Sequence, residues 1–83
     1  MLIIYGSRLC KDCVACLADF DRLGVSYEYR DFSENLAWLK EFLAMRDGNP
    51  VFENTRNEGM IGIPCIVAED GRITLDWQEF MDM

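Results

Sequence analysis

The chain opens on an unbroken apolar run, Leu2-Ile3-Ile4-Tyr5, which predicts a strand buried on both faces. The period then changes. Cys13, Cys16, Leu17, Phe20 and Leu23 recur at helical spacing, Asp12, Asp19 and Arg22 fall on other faces, and Gly24 supplies a stop. From Val25 to Asp31 the chain alternates, with Val25, Tyr27 and Tyr29 set against Ser26, Glu28 and Arg30. That predicts a second strand. Strand, helix and strand within about thirty residues make a βαβ unit, whose strands run parallel through a right-handed crossover.

Ser33 is the expected cap of a second helix, Glu34 to about Asp47, with Leu36, Leu39, Phe42 and Leu43 facing inward and Gly48 ending it. Asn49-Pro50 restarts the chain at once, since Asn caps well and Pro is tolerated at the first helical position. A short third helix is expected from Pro50 to about Glu58. Gly62 to Ala68 is an apolar strand headed by Pro64, Glu69-Asp70-Gly71-Arg72 a hairpin turn, and Ile73-Thr74-Leu75 the returning strand. Asp76 caps a last short helix through about Met81. The predicted order is β-α-β-α-α-β-β-α, in one domain over residues 1–83.

Composition narrows what such a domain does. Fifteen acidic against eight basic residues give a net charge of −7. Without a Lys/Arg cluster, no nucleic-acid partner is expected. The apolar start is only a strand long and has no basic residues before it, so it does not read as a signal peptide. No stretch is long and apolar enough to predict a membrane span.

Four cysteines are present, three of them crowded into Cys10-Lys11-Asp12-Cys13-Val14-Ala15-Cys16. That spacing does not suit a secreted disulfide scaffold. It suits a reducing, cytoplasmic setting, in which CxxC is catalytic or metal-binding. Cys10 falls at or just before the first turn of the first helix, where unpartnered N–H groups and the dipole favour a thiolate, the nucleophilic form of sulfur. Arg8 and Lys11 add positive charge, and Cys13 lies one turn on, within reach of a Cys10–Cys13 disulfide. The chain has no histidine, so no imidazole base is available to activate a thiol.

These residues resemble a glutaredoxin, at the small end of the thioredoxin-fold superfamily, over essentially the whole chain. The likeness rests on a first strand entering C-x-x-C at a helix start, the βαβ unit, and Ile63-Pro64 opening the third strand before a hairpin. It implies a four-stranded mixed sheet flanked by helices, and a disulfide reductase with Cys10 as nucleophile and Cys13 as resolving thiol. It further implies a cis proline at Pro64 beside the thiols and substrate hydrogen bonds from the backbone of Ile63. Arg8 and Lys11 join Ile63 and Pro64 as candidate substrate contacts. Where the family often carries Pro-Tyr between its cysteines this chain has Lys11-Asp12, and Thr74-Leu75-Asp76 replaces its glutathione-binding Gly-Gly pair.

The expected partners are a disulfide-bearing protein or a glutathione mixed disulfide. Glutathione or a flavoprotein reductase would be the electron donor, with no bound cofactor and no demand for more than a monomer. Cys16 and Cys65 are extra thiols, either buried filler or regulatory. Two rival readings use the same cysteines. Cys10, Cys13, Cys16 and Cys65 could hold zinc or an iron–sulfur cluster, although three of them on one continuous helix wrap a cluster poorly. Alternatively, the thiols could sense oxidation in a binding module without turnover.

Overall fold

Leu2–Gly6 forms the strand β1, and the rest of the molecule is placed from it. The structure, a computed structural model, describes residues 1–81. Helix α1 spans Lys11–Leu23 and ends on Gly24, whose φ of 72° is the left-handed conformation a glycine adopts freely. Strand β2 is Tyr27–Asp31 and pairs parallel with β1, Ile4 opposite Tyr29. Helix α2 spans Leu36–Gly48, a 3₁₀ turn spans Pro50–Phe52, and α3 spans Glu53–Asn57. Strand β3, Cys65–Val67, runs antiparallel to β1, and β4, Ile73–Thr74, closes a hairpin with it. The protein is thus α/β, with a mixed four-stranded sheet in the order β2-β1-β3-β4 and three helices. Among the described residues no helix is long and apolar enough to cross a membrane.

The sheet separates two cores, as the alternation of strand side chains requires. Ile4 and Ile66 point to one face, where Cys16 and Phe20 of α1 cover them. Tyr5 and Cys65 point to the other, against Phe42 of α2 and Phe52 of the 3₁₀ turn. Inserting β1 between β2 and β3 buries it on both sides, as its apolar run predicts.

Several boundaries differ from the sequence expectation, each for a physical reason. Ser33 does not cap α2. Its N–H and hydroxyl both donate to Asp31 Oδ1, and Asn35 Oδ1 instead accepts from Ala37 N at 2.9 Å. Leu36 and Leu43 are exposed, and Trp38, Phe42 and Met45 make the inward stripe. A polar knot fixes that rotation: Tyr5 Oη donates to Glu41 at 2.7 Å, and Arg30 Nη1 donates to the same carboxylate at 2.7 Å.

The third helix is split, with Asn49 capping the 3₁₀ turn by accepting from Val51 N at 2.9 Å. The strand predicted over Gly62 to Ala68 shrinks to three residues, because Gly62 sits at φ 94° and Pro64 has no N–H to give. The last predicted helix is a single 3₁₀ turn, Trp77–Phe80, capped by Asp76 Oδ1 on Gln78 N at 3.0 Å. A 3₁₀ turn brings positions i and i+3 to one side, and Trp77 and Phe80 both pack on the α1 face. The element order therefore ends in a 3₁₀ turn and not an α-helix.

Candidate functional site

The link between β1 and α1 is a turn held from beneath by a buried aspartate. Ser7 and Asp31 are almost fully buried there. Arg8 N donates to Asp31 Oδ2 at 3.1 Å, Leu9 N to Ser7 Oγ at 3.1 Å, and Cys10 N to the Ser7 carbonyl at 3.0 Å. Burial alone would raise the Asp31 pKa. Donation from the Ser33 hydroxyl and from the Arg8 and Ser33 N–H groups outweighs it and holds the carboxyl below its ordinary value. The turn is thereby fixed without any residue of its own needing an unusual backbone.

Cys10 emerges from this turn as the N-cap of α1, in extended conformation at φ −98° and ψ 121°. All four cysteines are unpaired thiols, and only Cys10 is partly exposed. Cys13 is completely buried one turn behind it. Desolvation, above all, pushes the Cys13 thiol up from its ordinary value, and the neighbouring Cys10 and Asp12 add to this. A backbone hydrogen bond from Ser7 pulls the other way. Cys16 and Cys65 are likewise fully buried and are pushed up to about 12 by the same loss of hydration.

A groove of about 450 Å³ is lined at one point by Cys10. Its walls include Ile61, Ile63, Pro64, Leu75 and Trp77, with Asp12 and Thr55 the polar contributions. The Ile63–Pro64 peptide bond is cis. A second, almost wholly apolar hollow adjoins Cys10 on the other side, between Leu9, Phe32, Leu39, Ile61 and Ile63. Leu9 is 90% exposed at the lip. The loop that carries Pro64 is tied to α2: Arg46 donates to the Ile61 carbonyl at 2.9 Å and to the Met60 carbonyl at 2.6 Å. Gly62 lets it lie flat, since a Cβ there would meet the Phe52 ring at 2.9 Å.

Of the residues singled out in the sequence, Cys10, Ile63 and Pro64 meet in this groove and Cys13 lies directly behind. Arg8 and Lys11 are not among its walls. Lys11 is exposed at the first position of α1, and the Arg8 guanidinium lies over the Tyr29 ring, 5.5 Å from its centre. Cys16 packs in the α1 core and Cys65 in the α2 core, on opposite faces of the sheet, so the four sulfurs do not converge on one point. Among the described residues no group of three Cys, His, Asp or Glu side chains is placed to hold a metal ion.

Two contributors escape the sequence reading. Trp77 enters the groove because the last 3₁₀ turn folds back over α1, where Trp77 Nε1 donates to Asp19 Oδ2 at 3.0 Å. The second is Gly6, for which position before the cysteine turn was the available signal. A Cβ on Gly6 would lie 2.7 Å from Cys13 Sγ, closer than real contacts permit. Gly6→Ala is therefore expected to cost about 1–3 kcal/mol through overpacking. The same change in a Cys13→Ala background should cost clearly less, because the clashing sulfur is gone. Equal losses in both backgrounds, read from urea unfolding, would refute the contact.

No family model and no solved structure matches the chain. A protein of Haemophilus influenzae, described as an "uncharacterized protein", is 34% identical over 74 residues, which cover 89% of this chain and 86% of that protein. At that identity over nearly the full length of both chains, the two proteins are homologous, and the chain belongs to the same family as the Haemophilus influenzae protein.

Proposed function

We propose that the chain is a glutaredoxin-like member of the thioredoxin-fold superfamily that exchanges disulfides through Cys10 and Cys13. One observation carries this reading: of four thiols, the only one open to solvent belongs to the residue at the N-cap position of a helix, with a second thiol buried one turn behind. An accessible sulfur can attack a disulfide in solution, and a hidden neighbour can only displace what the first has captured. The cores that enclose Cys16 and Cys65 remove both from that exchange. Their separation by the sheet also weighs against the four-cysteine metal site as an alternative.

The groove walls bear on the substrate. They are apolar apart from Asp12, Thr55 and the two hydroxyls of Ser7 and Ser33, and no Lys or Arg lines either hollow. Glutathione, with two carboxylates, would meet Asp12 without a cation to receive it. A disulfide carried on a protein segment with apolar flanks fits better, in a reducing, cytoplasmic setting. A low-mass thiol or a flavoprotein reductase would return the electrons.

Mass mapping after mild oxidation and alkylation tests the assignment. The expected product has lost two hydrogens, has Cys10 linked to Cys13, and retains free thiols at Cys16 and Cys65. A linkage involving Cys16 or Cys65 in the native protein would overturn it.

A further inference from the structure

Among the described residues, one buried side-chain polar atom is left without a hydrogen-bond partner: the hydroxyl of Tyr29. Tyr29 stands on β2 directly across from Ile4 and points to the α1 face, where its ring packs on the core. The hydroxyl reaches the space above Gly6. A Cβ placed on Gly6 would lie 3.3 Å from Tyr29 Oη and 2.7 Å from Cys13 Sγ, so the two atoms flank the same small gap. Buried hydroxyls are almost always paired, and an orphan among them calls for an explanation.

We infer that Tyr29 is a catalytic residue, whose hydroxyl donates a hydrogen bond to Cys13 Sγ whenever that sulfur carries negative charge. The inference rests on the disulfide exchange proposed above. In that exchange Cys13 gives up its proton and attacks Cys10 Sγ of a Cys10–substrate disulfide. The Cys10–Cys13 bond forms, the Cys10–substrate bond breaks, and its electron pair leaves on the substrate thiolate, which takes up a proton. In the return half, an external thiolate attacks Cys10, and the electron pair of the Cys10–Cys13 bond leaves on Cys13. In both halves charge develops on a sulfur that is sealed from water and costly to ionise. Tyr29 is the side-chain donor at hand, beside the Ser7 backbone N–H that already favours the ionised sulfur. Burial, first of all, raises its own pKa, so it keeps its proton and stays a donor across the working range.

Tyr29 Oη makes no hydrogen bond to the Cys13 thiol in the resting structure, and ionisation of that sulfur would place a strong acceptor across the small gap beside Gly6. The Arg8 guanidinium over the ring holds it in place from outside. The other charged or titratable groups acting on the pair are Cys10, Asp12 and Cys16 on α1 and Asp31 at the end of β2.

Tyr29→Phe removes the hydroxyl alone. Treated with the aromatic disulfide DTNB, the parent protein should release one chromophoric thiolate as Cys10 reacts and a second as Cys13 displaces the first adduct. The variant should match the parent in the first phase and be about tenfold or more slower in the second. The pH profile of that second phase should move to higher pH. Its thermal melt should equal or exceed the parent's, since an unpaired buried hydroxyl stabilises nothing. A second phase at the parent's rate, or a markedly lower melt that reveals a structural partner for the hydroxyl, would overturn the inference while leaving the exchange reading intact. Release of only one equivalent by the parent would sink both.

Discussion

Cys10→Ser is expected to abolish reduction of a protein disulfide such as insulin, while Cys13→Ser stops after one step and accumulates a mixed disulfide on Cys10. The difference follows from access. Cys10 is partly exposed and lines both hollows, whereas Cys13 has no exposed surface from which to meet a substrate. A serine hydroxyl does not replace a thiolate as nucleophile, so the first variant should fall to background, a loss of several orders of magnitude. The second variant keeps the attacking sulfur and lacks the one that releases product. Dithiothreitol as terminal reductant and mass spectrometry of the trapped species separate the two outcomes. Substantial activity in Cys10→Ser, or an adduct on Cys16 or Cys65 in Cys13→Ser, would contradict the assignment.

Alkaline pH is expected to unfold the protein steeply, because three thiols are buried as neutral groups. Their pKa values in the folded chain stand above the ordinary 9.0, with Cys16 and Cys65 at about 12. The unfolded chain therefore sheds protons first as pH rises through 9, and stability falls with pH until the folded thiols also titrate. Below about pH 9 the contribution is complete. Between about pH 9 and pH 12 each thiol removes on the order of 1 kcal/mol per pH unit. A small domain has only about 5–15 kcal/mol in total, so three such groups suffice to unfold it near the top of the window.

A net charge of −7 adds self-repulsion of the same sign, and the discriminating quantity is therefore a slope. Urea unfolding of Cys16→Ala should fall less steeply with pH than the parent by about 1 kcal/mol per pH unit. Identical slopes would mean that the Cys16 thiol is solvated.

The sequence carried the parts of this protein that depend on neighbours along the chain. The Leu2–Tyr5 run identified a doubly buried strand, Cys13, Cys16, Leu17 and Phe20 gave the inward face of α1 although Leu23, expected on the same stripe, is exposed at its end, and Gly24 gave the stop. Such signals are local: strand and helix periods and a glycine stop are written within a few residues. Local reading failed where two caps competed. Ser33 looked like the start of α2, but Asp31, only two residues before it, claims both its donors, and Asn35 is the cap instead. It failed again on Leu36 and Leu43, since the rotation of α2 answers to Tyr5 and Arg30, which lie far away along the chain.

The candidate site divides along the same line. That Cys10 would open a helix with Cys13 a turn behind was determined by spacing alone, because 3.6 residues per turn leaves little choice. Which of the four sulfurs meets solvent, that Cys16 and Cys65 would be parted by the sheet, that Arg8 would turn away onto Tyr29, and that Gly6 and Tyr29 would close around Cys13 were decided only by tertiary structure. Exposure and desolvation are properties of what surrounds an atom on every side, and only packing brings residues 6, 13 and 29 around one small space.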